Sequence, residues 1–294
     1  MSERIFCVDT LIYAAYKMGL LKGLLMADTT KIEWCDSTIN WWEGCTAVSP
    51  ACDLCYARTF VEVRFGRAIF GGPGKGIGTR RRTSEALWKN PYRWERQAAA
   101  TGARPFIFSS SHSDVFDNHP AVTEWRNEAF EVMRETPHLI YLMLTKRPQN
   151  IEKMVAATGK PLPRNVALGT SAGTQAEYER NGALLTRAKA RLDPQFVFIS
   201  MEPMLGPVDL TRLPSVAKLD WIIVGGETGH GARHMKLEWA RAVRDQCREL
   251  GPLFNFKQTG TAPAPGAVGK LQPNGHTLDG VQHFGRPPVR AIGA

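Results

Sequence analysis

A partial (β/α) barrel of about six or seven units with parallel strands is the fold class this sequence predicts. Two observations carry it. Short apolar runs recur from residue 106 to residue 256, and helical patterns separate most of them. Short buried strands alternating with helices imply a parallel sheet with crossover connections. Almost every run also ends in polar or charged residues, as expected where a parallel sheet presents its carboxyl edge to a ligand. A doubly wound open sheet is the alternative. No G-x-G-x-x-G follows an early strand, which argues against a dinucleotide-binding version of it.

The elements follow in order. Residues 1–30 read as an N-terminal extension, with an amphipathic pattern through Leu11, Ala15, Met18, Leu21 and Leu25. Met26-Ala27-Asp28 also looks like a natural beginning. The barrel domain runs over residues 31–260. A first strand near 37–42 feeds a loop holding Cys45, Cys52 and Cys55, and a helix follows over 56–65. A glycine run at 71–79 fails as a phosphate loop, because Lys75 is followed by Gly76 rather than Ser or Thr. It reads as a solvated loop. With Arg80-Arg81-Arg82 behind it, the sharper expectation is a basic flap over a phosphate-bearing substrate.

A polar helical stretch holds Trp88, Tyr92 and Trp94. Strands are then expected at 106–108, 139–144, 166–168, 196–199, 221–224 and 253–256, with helices over 122–135, 149–157, 174–190 and 237–250. Pro207 and Pro214 break the connection before Trp221, leaving room for one short helix at most. Residues 261–294 are rich in Gly and Pro and read as an irregular C-terminal cover, with a turn at Leu278-Asp279-Gly280.

The chain of 294 residues is 43% hydrophobic and 22% charged, ordinary globular values that permit a sizeable core. Its formal net charge of +9 favours nucleic acid, nucleotides or other polyanions as partners. Tryptophans 41, 42, 88 and 94 offer base stacking, although such residues more often belong to a core. No apolar run is long enough to span a bilayer, and no signal-peptide pattern is present, so a cytoplasmic protein is expected.

The chemistry centres on the cysteines. Six in a chain this long are too sparse for a secreted disulfide scaffold, and three of them share one loop with spacing C-x6-C-x2-C. Three soft ligands without an obvious fourth suit an iron–sulfur cluster with one open iron, or a zinc site completed by Cys35 or His112. Three unrelated buried thiols would not cluster in this way. Cys247 is expected on a helix as packing. The strand ends add Ser111, His112, Asp114, Lys146, Arg147, Glu202, Gly225, Gly226, Glu227, Lys257 and Gln258. Of these, Ser111, Lys146, Glu202, Gly225, Gly226 and Glu227 are the expected cofactor-binding set, the carboxylates acting as acid and base or holding a cofactor's amino group or ribose.

Several motifs carry a family resemblance. They include Ile32-Glu33-Trp34, Gly44-Cys45, Cys52-Asp53-Leu54-Cys55-Tyr56-Ala57, Leu144-Thr145-Lys146-Arg147-Pro148, Ser200-Met201-Glu202-Pro203, Gly225-Gly226-Glu227-Thr228-Gly229, Ala232-Arg233 and Phe256-Lys257-Gln258. Together they resemble a three-cysteine family of unknown function found in phages, prophages and bacteria. That family looks like a branch of the radical-SAM superfamily, distantly similar to spore photoproduct lyase. The resemblance implies a partial βα barrel with a [4Fe–4S] cluster on Cys45, Cys52 and Cys55, whose free iron binds S-adenosylmethionine. It also implies a 5′-deoxyadenosyl radical and a reductant such as a flavodoxin or ferredoxin. The superfamily's usual spacing is C-x3-C-x2-C, so the first gap here is longer. Gly225-Gly226-Glu227 matches a Gly-Gly-Glu motif that normally follows an early strand, whereas here it follows a late one.

Overall fold

The computed structural model describes Thr30, residues 32–262 and residues 274–292. The N-terminal extension, its amphipathic pattern, the alternative start at Met26 and Cys7 lie outside the described residues.

Eleven strands are described. They are β1 (Ser37–Ile39), β2 (Trp42–Glu43), β3 (Phe70–Gly72), β4 (Gly76–Gly78), β5 (Arg81–Arg82), β6 (Phe106–Ser109), β7 (Ile140–Thr145), β8 (Val166–Ser171), β9 (Val197–Met201), β10 (Trp221–Gly225) and β11 (Leu253–Gln258). Seven of them form one sheet in the order β1-β6-β7-β8-β9-β10-β11, and every neighbouring pair is parallel. This is the expected partial barrel: seven strands that curve without closing.

Both faces of the sheet are covered, which is why its strands read as continuous apolar runs instead of alternating ones. On the outer face Ile107, Tyr141, Leu168, Ile199 and Ile222 share a core with residues of the long helices Asn90–Thr101, Thr123–Glu135, Gln175–Leu192 and Leu237–Leu250. The opposite face carries Trp34, Phe106, Phe108, Phe196, Phe198 and Trp221, a cluster to which no long helix contributes among the described residues. These rings meet at centroid distances from 4.6 to 6.3 Å and fill the base of the concave side. Cys247 is buried on the Leu237–Leu250 helix, as expected of a packing residue.

Four local features differ from the sequence expectation. The first strand stops at Ile39 rather than Trp42. Trp41 turns inward, donates from Nε1 to Ser109 Oγ at 2.9 Å and packs on Trp88 at 4.8 Å. Beyond it, β2 pairs antiparallel with β5. The helix after Cys55 begins as a single α turn, Tyr56–Arg58, and continues as a π-helical stretch, Thr59–Arg64. The glycine run is no open loop, because β3 and β4 pair antiparallel as a hairpin. Two single 3-10 turns, Leu210–Arg212 and Val216–Lys218, occupy the connection for which one short helix was allowed.

The C-terminal cover is tied down along its described length. Leu278 pairs with Val281 around the expected turn, and Phe284 bridges to Asn255 on β11. Arg286 then reaches Asp36 Oδ2 at 2.8 Å, just before β1. The tail therefore links the two edge strands of the open sheet at the end opposite the cysteine loop.

Candidate functional site

The loop from Gly44 to Cys55 lies over the carboxyl ends of the strands and is built by local rules. Gly44 adopts φ +102°, and a Cβ there would lie 2.4 Å from Thr79 O, so only glycine admits this approach. Its N–H donates to His112 O at 3.1 Å, which sets the direction in which Cys45 follows. Ser49 caps the 3-10 turn Pro50–Cys52 by accepting from Ala51 N, and Cys55 stands at the N-cap of the next helix. The C-x2-C pair is thus folded by one capped turn.

Three strand ends pin this loop. Arg147, after β7, donates to Cys45 Sγ at 3.5 Å and to Thr46 O, and its guanidinium pairs with Asp114 at 2.9 Å. Ser49 Oγ donates to Glu177 Oε1 at 2.5 Å, and Glu177 in turn accepts from Gly173 N beyond β8. Arg233, beyond β10, donates to Glu227 through Nε and Nη2 at 2.8 and 2.6 Å. It also reaches Pro50 O at 3.0 Å and Asp53 at 3.3 Å.

Beneath the loop is a cavity of about 400 Å³. Cys45, Cys52 and Cys55 line it together with Ser111, His112, Asp114, Lys146, Arg147, Glu202, Gly226, Glu227, Lys257 and Gln258. Strand ends from β1 to β11 therefore meet at one place, as the run endings predict. The expected residues nevertheless differ in what they do. Glu202 Oε1 accepts from Lys257 Nζ at 2.5 Å and Gln258 Nε2 at 2.8 Å, so it faces the cavity as part of a charge-paired wall. Glu227 lines the cavity but is buried and held by Arg233, which ties it to the cysteine loop. Gly225 is not among the lining residues; a Cβ there would touch Glu202 and Gln258 at 3.4 Å.

Gly226 does line the cavity, but its need for glycine comes from the neighbouring strand. A Cβ at this position would lie 2.1 Å from Thr259 O. Backbone cannot yield as a flexible side chain does, so Gly226→Ala is expected to cost about 3 kcal/mol, read as a lowered denaturant midpoint.

Charge around the thiols is mixed. Burial pushes the Cys45 thiol up to about 12, although the Arg147 guanidinium pulls it down. Burial disfavours the Lys146 ammonium, yet the Cys52, Cys55 and Cys45 sulfurs outweigh it and raise the lysine above its ordinary value. Burial lowers His112, with Glu43 acting against it.

Cys35 is excluded from this site. It is fully buried among Trp34 and Phe106 with its Sγ towards Ile32 O at 3.7 Å, and it does not line the cavity. Three soft thiols on one cavity wall are a donor set suited to an iron–sulfur cluster with one open position. Among the described residues, no three His, Cys, Asp or Glu side chains converge closely enough to hold a metal ion as they stand.

Two expectations about nucleic acid are corrected. Trp41, Trp42, Trp88 and Trp94 are all buried core residues and offer no stacking face. The three arginines are not a free basic flap. Arg80 is buried against Asp117 at 2.5 Å, Arg81 pairs with Glu43 at 3.1 Å, and Arg82 pairs with Glu85 and Glu128. A second cavity of about 310 Å³ lies at the opposite end of the strands, lined by Arg104, Arg134, Arg164 and Arg290. Arg104 there donates to the carbonyls of Pro137, His138 and Arg290, which serves to close the base of the fold.

Arg233 appears in the sequence only within the Ala232-Arg233 motif, without a role, and Asp117, the partner of Arg80, carries no sequence signal at all. Arg233 and Asp53 are 180 positions apart, and no spacing rule links them. No curated protein and no solved structure matches the chain significantly. A family model described as "Protein of unknown function (DUF5131)" matches residues 29–287, and the chain belongs to that family.

Proposed function

We propose that Cys45, Cys52 and Cys55 hold a [4Fe–4S] cluster and that the protein is a radical-SAM-type enzyme acting on a nucleic acid or nucleotide. The observation that carries this reading is the meeting of three thiols from one loop with polar strand ends around a single cavity. When bound and reduced, such a cluster would supply one electron for the reductive cleavage of S-adenosylmethionine into methionine and a 5′-deoxyadenosyl radical. Everything else is the work of this chain's residues. Arg147 and Lys146 place positive charge beside the sulfurs and favour the thiolate form that a metal requires. The Glu227–Arg233 strut and the Ser49–Glu177 contact hold the loop in register with the strands. Ser111, Lys146 and Glu202 line the space left for the cofactor, with Glu202 as acceptor for an amino group or ribose hydroxyls.

The net charge of +9 supports a polyanionic substrate, and Tyr56, 55% exposed, brings an aromatic ring to the cavity wall. Among the described residues no helix is long and apolar enough to cross a membrane. A cytoplasmic setting would keep the five described cysteines as thiols and provide a flavodoxin or ferredoxin as reductant.

One observation favours a second reading, a non-catalytic nucleic-acid-binding protein with a structural zinc: His112 lines the same cavity as the three cysteines. Anaerobic reconstitution with iron and sulfide separates the two. Iron–sulfur absorption, followed by 5′-deoxyadenosine release on adding S-adenosylmethionine and dithionite, is the expected result. Stoichiometric zinc without that absorption would sink the enzyme reading.

A further inference from the structure

The side-chain oxygens of Ser110, Ser113 and Ser171 are buried in the wall of the cavity without a hydrogen-bond partner among the described residues. Buried polar groups are almost always paired, so three exceptions in one wall call for an explanation. Ser110 and Ser171 are each 4% exposed. Ser110 directly follows β6, and Ser171 is the last residue of β8. Strand alternation puts Ser171 on the same concave face as Ala167 of the aromatic cluster. From that cluster Trp34 and Phe108 also line the cavity, as does Leu144, which packs against it. Unclaimed hydroxyls therefore stand beside apolar walls.

This combination selects a kind of ligand. A serine hydroxyl donates, accepts and carries no charge, so it suits a neutral polar group of either hydrogen-bonding sense. The walls suit apolar faces. A sugar carries hydroxyls all round its ring and would press several of them, unpaired, against Trp34, Phe108 and Leu144. A nucleobase instead keeps its donors and acceptors on its edge and has two flat faces that stack on aromatic or apolar side chains.

We infer that Ser110, Ser113 and Ser171 form a subsite for the edge of a single nucleobase, with Trp34, Phe108 and Leu144 as its apolar walls. The inference rests on the nucleic-acid or nucleotide reading above and adds a condition to it. A cavity of about 400 Å³ ringed by strand ends has no room for a duplex, so the base enters alone, either free or swung out of a helix. Because each hydroxyl can turn to meet a carbonyl or an amino group, the subsite selects a ring of the right shape more than one base, and cytidine and uridine should bind alike.

Labelled cytidine and uridine are the probes, because adenosine would also compete for the cofactor's place. They are titrated by equilibrium dialysis onto the full chain, as purified and after reconstitution, with iron measured first. Both nucleosides should bind, and Ser110→Ala and Ser171→Ala should each weaken binding about fivefold. The thermal midpoint of the free protein should not fall in either variant, since the hydroxyl removed has no partner to lose. Equal affinities in wild type and variants would overturn the subsite, as would a midpoint lowered by several degrees, which would make the hydroxyls structural. Displacement of the nucleosides by S-adenosylhomocysteine would assign the hydroxyls to the cofactor, and equally tight binding of methyl riboside would assign them to a sugar; either result overturns it. Iron–sulfur uptake without nucleoside binding removes the subsite and leaves the cluster reading intact. Hydroxyl-dependent nucleoside binding by a chain that takes up no cluster does the reverse.

Discussion

Replacing Cys45, Cys52 or Cys55 singly by Ala should lower the iron retained after reconstitution by roughly tenfold or more, whereas Cys35→Ala should leave it unchanged. Partners that only orient metal ligands already account for about 10- to 100-fold in affinity, so removing a ligand from a set of three should be worth at least as much. The contrast follows from position. Cys45, Cys52 and Cys55 face one cavity, while Cys35 is enclosed by the aromatic cluster on the concave side of the sheet. Iron and sulfide analysis of the four variants, beside their circular dichroism, separates ligand loss from unfolding. Equal iron in Cys52→Ala and Cys35→Ala would refute the three-cysteine site.

The strands and the convergence of their ends were legible because a parallel sheet writes both into the chain. Buried strands such as Ile140–Thr145 and Val197–Met201 are apolar on both faces, and the polar residues that follow them fall on one edge by topology alone. What the side chains do there was less legible. Gly225-Gly226-Glu227 reads as a cofactor loop, and Gly226 and Glu227 do line the cavity, but the sequence does not show that Gly226 lies against Thr259 just past β11 or that Glu227 is held by Arg233. The triplet Arg80-Arg81-Arg82 looked like a free cationic flap, but its partners Asp117, Glu43 and Glu128 lie 37, 38 and 46 positions away. Local pattern reports which residues reach an edge. It does not report which distant charge meets them, because that pairing is made by the fold.

Asp114 shows how much such a pairing is expected to weigh. It is 4% exposed, and its carboxylate accepts from Thr145 Oγ1 at 2.9 Å, Lys146 N at 3.2 Å, Arg147 Nη1 at 2.9 Å and Phe116 N at 2.9 Å. Removing it by Asp114→Ala leaves the Arg147 guanidinium buried, with Asp117 at 3.7 Å as its remaining carboxylate. Breaking one side of a buried ion pair costs about 3–5 kcal/mol, because the other charge keeps its desolvation penalty. For a chain of this size that corresponds to a fall in Tm on the order of 10 °C. Thr145→Val removes one of the four donors and also the acceptor of the Arg147 N–H at 2.8 Å, and should cost about 2 kcal/mol. The same change should loosen the loop, since Arg147 is the group that joins Asp114 to Cys45 and Thr46. Thermal unfolding of both variants measures the first effect, and retained iron after reconstitution measures the second. If Asp114→Ala is no more costly than Thr145→Val, the carboxylate is a minor support. Arg147 would then be held chiefly by the cysteine loop itself.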